Sequence, residues 1–276
     1  MSASFADPLF VTALAGAVAL ACGAAPLGVL LIGRRMSLVG DSLSHATLPG
    51  AAIAYMLVGP DPWLLTLGAL IAGVVVAVSS AFLSRVARLP EDAAFAVLYL
   101  SALAIGIVIL GKTASADVVH SLLFGDAKAL DSAGLTLAAT GALATLLAIL
   151  FAGRLLQAAA ADDDHSIAHA WTGMAQALLM GLVAINLVAG FRAFGALMTV
   201  GLMMVPAAAA RCWSLGFRGR IFAAVIISIV ASATGLLAAK AMGVEPGPAM
   251  VLAAAALFVV SLAQAQMRRG LSKPAA

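Results

Sequence analysis

The sequence predicts an all-α protein, a polytopic transmembrane helix bundle of eight or nine spans, and three observations predict it. Apolar residues make up 64% of the 276-residue chain and charged residues only 10%, a balance far outside that of soluble globular domains. Apolar runs of about 20 residues recur from end to end, the length an α-helix needs to cross roughly 30 Å of hydrocarbon. The basic residues fall mostly in alternate connections between those runs, as the positive-inside bias requires. No connection has room for a soluble domain, so residues 1–276 are expected to form a single transmembrane domain.

The first run, residues 9–32, is longer than a signal-peptide core and is preceded by Asp7 with no Lys or Arg. It reads as a retained span. The second covers 36–58, and the third and fourth cover 62–84 and 93–111. A fifth, 132–153, and a sixth, 172–190, follow connections that carry several acidic and histidine residues. The seventh, 193–212, contains Pro206 and many small residues; it is expected either to cross or to be broken or re-entrant, which only neighbouring protein makes tolerable. The last two cover 220–242 and 247–267.

With nine spans, Arg34, Arg35, Arg85, Arg88, Arg154, Arg211, Arg218, Arg220, Arg268, Arg269 and Lys273 share one side, against Lys112, Lys128, Arg192 and Lys240 on the other. That places the N-terminus outside and the C-terminus in the cytoplasm. It also accounts for the pI near 9.2 without nucleic acid as a partner; the scattered basic residues belong to the membrane boundary. Cys22 and Cys212 lack metal-ligand spacing and imply no disulfide framework.

The second span opens with RRMSLVGDSLSHATLPG, residues 34–50. Asp41 and His45 are four residues apart, so a helix puts both on one face, with Ser37, Ser44 and Leu48 on the same stripe. A carboxylate facing lipid costs roughly 2.5–3.5 kcal/mol even on the lenient insertion scale, so such residues turn to a bundle interior or an aqueous path. Pro49 has no N–H for the His45 carbonyl, which predicts a kink beside the imidazole. Gly40 and Gly50 allow close approach of other helices. Carboxylate, imidazole and carbonyl oxygen make a transient seat for a divalent transition metal. A hydrogen-bonded Asp–His pair that only joins helices, or a proton relay in a secondary transporter, would use the same two residues.

The longer segment GRRMSLVGDSLSHATLPGAAIAY closely resembles the signature of the membrane subunits of metal-ion ABC importers, the zinc, manganese and iron permease family. The similarity continues through LPEDAAFAVLYLSALAIGIVIL, ADVVHSLLFGD and GALMTVGLMMVPAAAAR, and covers most of the chain. The resemblance implies a permease subunit of the bacterial inner membrane, a homodimer, in which Asp41 and His45 lie on the path of the transported zinc, manganese or ferrous iron. It further implies an extracytoplasmic metal-binding protein that delivers the cation and a cytoplasmic ABC ATPase subunit that powers transport. The cation is cargo, and no resident cofactor is implied. A mixed Asp/His pair is compatible with all three metals.

Between the fourth and fifth spans lie Asp117 and His120, i and i+3 on a short helix, suited to share a metal at the outer entrance. The same loop reads equally as a solvated docking surface for the binding protein. GIVILGKT, residues 106–113, satisfies the phosphate-loop pattern, but its middle residues are Ile, Val, Ile and Leu at the end of a span, where no flexible loop of exposed N–H groups exists. ATP hydrolysis therefore falls to a separate subunit, and the chain is not expected to be an enzyme. In the connection QAAAADDDHSIAHAWTG, Asp164 and Ala168 correspond to a helix that relatives use to couple to the ATPase, although the leading aromatic and Pro-Glu are missing and Gly173 falls one place late. His165 and His169, i and i+4, suit either a cytosolic metal sensor or a capped helix start beside three aspartates.

Overall fold

The computed structural model describes residues 8–34, 36, 39–87, 91–113, 132–160, 169–213 and 215–271. Among them the chain forms ten helices and no strand: α1 (Pro8–Gly33), α2 (Val39–Ala46), α3 (Leu48–Val58), α4 (Pro62–Ala87), α5 (Glu91–Thr113), α6 (Ser132–Ala160), α7 (His169–Phe194), α8 (Ala196–Arg211), α9 (Phe217–Met242) and α10 (Pro246–Leu271). Seven of these contain a stretch long and apolar enough to cross a membrane, in α1, α4, α5, α6, α7, α9 and α10. The other two expected spans are built from shorter pieces.

Local chemistry sets several boundaries. Asp61 Oδ1 accepts the backbone N–H groups of Trp63 and Leu64 at 2.9 and 3.1 Å, so the first turn of α4 is capped and Pro62 supplies the N1 residue that lacks a donor. The expected second span, 36–58, is divided at Thr47 into α2 and α3, with Pro49 in the first turn of α3. The division falls where the sequence predicts a kink, because Pro49 cannot donate to the His45 carbonyl.

α1 is the axis of the bundle: 72% of its apolar window is buried, against 17% for α10 and 18% for α4. It packs on α6, α7, α8 and α9, while α2, α3, α4 and α5 pack on one another and join the rest through α7 and α8. Leu20, Leu27, Leu30 and Leu31 of α1, Leu43 of α2 and Phe95 of α5 are fully buried. Phe82, Leu150 and Phe151 lie on outward faces, 69, 75 and 83% exposed, as lipid-facing side chains do.

The segment 193–212 turns back sharply. A Cβ on Gly190 would collide with the Thr199 side chain, whereas nine residues of continuous helix would hold these positions about 13 Å apart. The chain reverses at Gly195, whose φ of 83° is open to glycine and strained for other residues. α8 then runs beside α1 in the same direction: Gly28 abuts Met203 and Ala207, and Arg211 Nη1 donates to the Ile32 carbonyl at 3.2 Å. The reversal is level with Gly16, which faces the Phe194 ring, about 12 Å inside the N-terminal end of α1. Sixteen residues of α8 cover only about 24 Å, so this segment begins within the thickness of the bundle and returns to the end that carries Arg34, Arg211, Arg218, Arg220 and Arg268. At the opposite end the Lys240 ammonium sits 5.4 Å over the Phe10 ring, tying α9 to the start of α1.

Candidate metal path

The site is built on α2, eight residues long. Val39, Leu43 and Ala46 are buried and turn inward, while Asp41 is exposed and His45 half-buried. Helical spacing puts these two on one face, as expected. The structure starts the helix at Val39, so Asp41 stands in its first turn, where the amide dipoles favour a negative charge.

The break next to His45 lies near the middle of the bundle. Thr47 Cγ2 is 3.1 Å from the site of a Cβ on Gly73 of α4, and Gly73 also faces Ala184 of α7. Two residues on, Asn186 lies against Gly23, the sixteenth of the 26 residues of α1. α5 backs the break, with Gly106 against Leu48 and Pro49. Gly40 lets α2 approach α8, where the ends of Met203 and Met204 cover it, and Gly50 meets the Gly68 carbonyl of α4. Both glycines thus make the close approaches expected of them.

Of the remaining sequence-predicted residues, Asp117 and His120 lie outside the described residues, as do Asp164, Ala168 and His165. Gly173 is in the opening turns of α7, which begins at His169. Residues 106–113 are helical to Thr113, so the phosphate-loop pattern has no loop. Among the described residues no group of three or more His, Cys, Asp or Glu side chains comes together. Asp41 and His45 are two ligand-type side chains on one face of α2.

Sequence reasoning passed over two polar features. Asn186, buried, donates through Nδ2 to Thr145 Oγ1 at 2.8 Å, the Leu182 carbonyl at 2.9 Å and the Gly141 carbonyl at 3.4 Å, joining α6 to α7. Ser228 of α9 donates to the Leu202 carbonyl at 3.4 Å, the oxygen that Pro206 leaves without its helical donor. The rule that predicts a kink at Pro49 would have found the second.

The model of the ABC 3 transport family matches residues 6–265. The chain belongs to the ABC 3 transport family. The match covers nearly all of it and agrees with the resemblance carried by the second-span motif. Among curated members, the manganese transport system membrane protein MntC of Halalkalibacterium halodurans is 31% identical, covering 88% of this chain and 82% of that protein. The chelated iron transport system membrane protein YfeD of Yersinia pestis is 27% identical, over 95% and 87%. The zinc transport system membrane protein TroC of Treponema pallidum is 28% identical, over 94% and 89%. A solved structure, PsaBC from Streptococcus pneumoniae in complex with Fab, superposes with a TM-score of 0.73 at 27% identity, covering 91% of this chain and 90% of that one. This ABC 3 transport family member is thus an all-α multi-pass membrane protein similar to permeases named for manganese, iron and zinc.

Proposed function

We propose that the chain is the membrane-spanning subunit of an ATP-driven importer of a divalent metal cation: zinc, manganese or ferrous iron. The observation that carries this reading is the pair Asp41 and His45, on one open face of a short helix that breaks beside His45 near mid-depth. Broken helices near the midplane are where transporters place their substrates, because irregular backbone is tolerated only where protein or a water-filled cavity surrounds it. The carboxylate and imidazole offer an oxygen and a nitrogen donor to a cation that has shed water. Cation would arrive from an extracytoplasmic binding protein, with Asp117 and His120 at the entrance, and leave when a cytoplasmic ATPase drives the bundle between two states. Asp164, Ala168 and Gly173 would take part in coupling to that ATPase. The chain would act as a homodimer in a bacterial inner membrane.

The experiment is uptake of radiolabelled zinc and manganese, each competed by the other, in cells that co-express the chain with its ATPase and binding protein. Loss of one metal's uptake in His45→Ala, at equal membrane abundance, supports the reading and names the cargo. Unchanged uptake makes the pair structural. Uptake that collapses with an uncoupler while ATP remains would assign Asp41 and His45 to proton coupling instead.

A further inference from the structure

At the arginine-rich end, α1, α8 and α10 part to leave a crevice of about 260 Å³. Ile32, Ala208, Leu262 and Ala265 form its apolar walls, and Arg211 and Gln266 supply its polar groups. Arg211 donates Nη1 to the Ile32 carbonyl at 3.2 Å. That bond pins the guanidinium over the end of α1 and uses one of its five donors.

Among the described residues that line the crevice there is no carboxylate. Within their bounds α1, α8, α9 and α10 contain no Asp or Glu, so no side chain of these four helices neutralises Arg211. The terminal carbonyls of α1 contribute partial negative charge, but Arg211, Arg218, Arg220 and Arg268 outweigh it. A guanidinium in this setting complements an anion.

An exposed apolar stripe leads away from the crevice along α10. Leu252, Val259 and Leu262 follow one another along α10 at helical spacing, 69, 61 and 41% exposed, and lead to Gln266 one turn further. A guanidinium at the polar end of an apolar stripe, beside the half-exposed Trp213, has the layout of the water–lipid boundary. Arg218 is exposed and lines no part of the crevice, and Arg220 donates its Nε to the Leu215 carbonyl at 3.1 Å.

We propose that the crevice between α1, α8 and α10 binds an anionic phospholipid, its phosphate on Arg211 and Gln266 and an acyl chain along Leu262, Val259 and Leu252. The planar guanidinium grips two phosphate oxygens at once, and a phospholipid supplies both the charge and the apolar tail that the site presents. The inference stands on the membrane setting alone and does not depend on which cation is carried.

The test is native mass spectrometry of the purified chain from detergent micelles doped equally with dioleoyl phosphatidylglycerol and dioleoyl phosphatidylcholine. Bound phosphatidylglycerol should exceed phosphatidylcholine by about fivefold. Arg211→Gln should bring the two near parity, and Arg218→Gln should leave the preference intact. Ala265→Phe fills the crevice with Arg211 in place, should also abolish the preference, and decides the matter where Arg211→Gln does not fold. A preference that survives Ala265→Phe overturns the proposal, as does one lost equally in Arg218→Gln, which would mean diffuse surface charge. Excess inorganic phosphate should not displace the lipid, whose acyl chains add to its hold; displacement would assign the crevice to a soluble anion and overturn the lipid reading.

Discussion

Asp41 and His45 occupy one face of α2 one turn apart, and they differ in surroundings: the carboxylate is exposed in the first turn, the imidazole half-buried beside the helix break. This difference makes distinct tests possible. His45→Ala deletes a nitrogen donor at the deeper position and should lower metal uptake at least tenfold. Asp41→Asn preserves shape while removing charge and should do the same if the carboxylate holds cation; loss of a ligand costs no less than the 10–100-fold seen when a ligand's supporting group is removed. Both proteins should reach the membrane at wild-type abundance, measured by immunoblot beside the uptake assay. Lys112 belongs to the false phosphate-loop pattern at the close of α5, and Lys112→Ala should leave uptake within about twofold, because a helical segment cannot cradle phosphate. The placement of Asp41 and His45 on one helix face could be read in advance from their spacing. Asn186 could not, since one amide in a long apolar run gives no sign of the three acceptors it will meet in the folded bundle.

The helices were legible to different degrees for physical reasons. Long apolar runs announce α1, α4, α5, α6, α7, α9 and α10, because a span's length is dictated by the bilayer. Pro49 announces the break between α2 and α3. The reversal at Gly195 is invisible to hydropathy, which sees 193–212 as an ordinary apolar run and not as a chain folding back within the bundle. Glycines separate close approach from mere spacing. A Cβ at Gly50 would meet the Gly68 backbone carbonyl, which cannot yield, whereas one at Gly40 would meet only the flexible ends of Met203 and Met204. Gly50→Ala should therefore cost about 1–3 kcal/mol, and Gly40→Ala should be nearly neutral, helped by the better helix propensity of alanine; thermal midpoints in detergent compare them. Ser228 answers the carbonyl that Pro206 leaves open on Leu202. Ser228→Ala should destabilise by about 0.6–1 kcal/mol, and much less in a Pro206→Ala background, where the restored N–H can bond Leu202. A double-mutant cycle reads that coupling, and additivity would show that the serine does not serve the proline.

The bundle as a whole has two chemically distinct ends, and its topology depends on how the short α8 is counted. α8 runs parallel to α1 and brings Arg211 to the Ile32 carbonyl, so the connection after it, with Trp213 and Leu215, lies at the same end as Arg34. Had the segment only dipped and returned to its starting side, Arg218 and Arg220 would lie at the end of Lys240, and the positive-inside bias would be broken. The return is therefore required twice, once by packing and once by charge. Labelling decides whether the folded protein obeys it in a membrane. In a Cys22→Ser, Cys212→Ser background, Glu245→Cys, at the exposed turn between α9 and α10, should react with a membrane-impermeant maleimide in intact spheroplasts. Leu215→Cys, exposed beyond α8, should react only after lysis. Reaction of Leu215→Cys in intact spheroplasts would place the end of α8 outside, and the arginine-rich face would then lose its assignment to the cytoplasm together with the ATPase that is proposed to dock there.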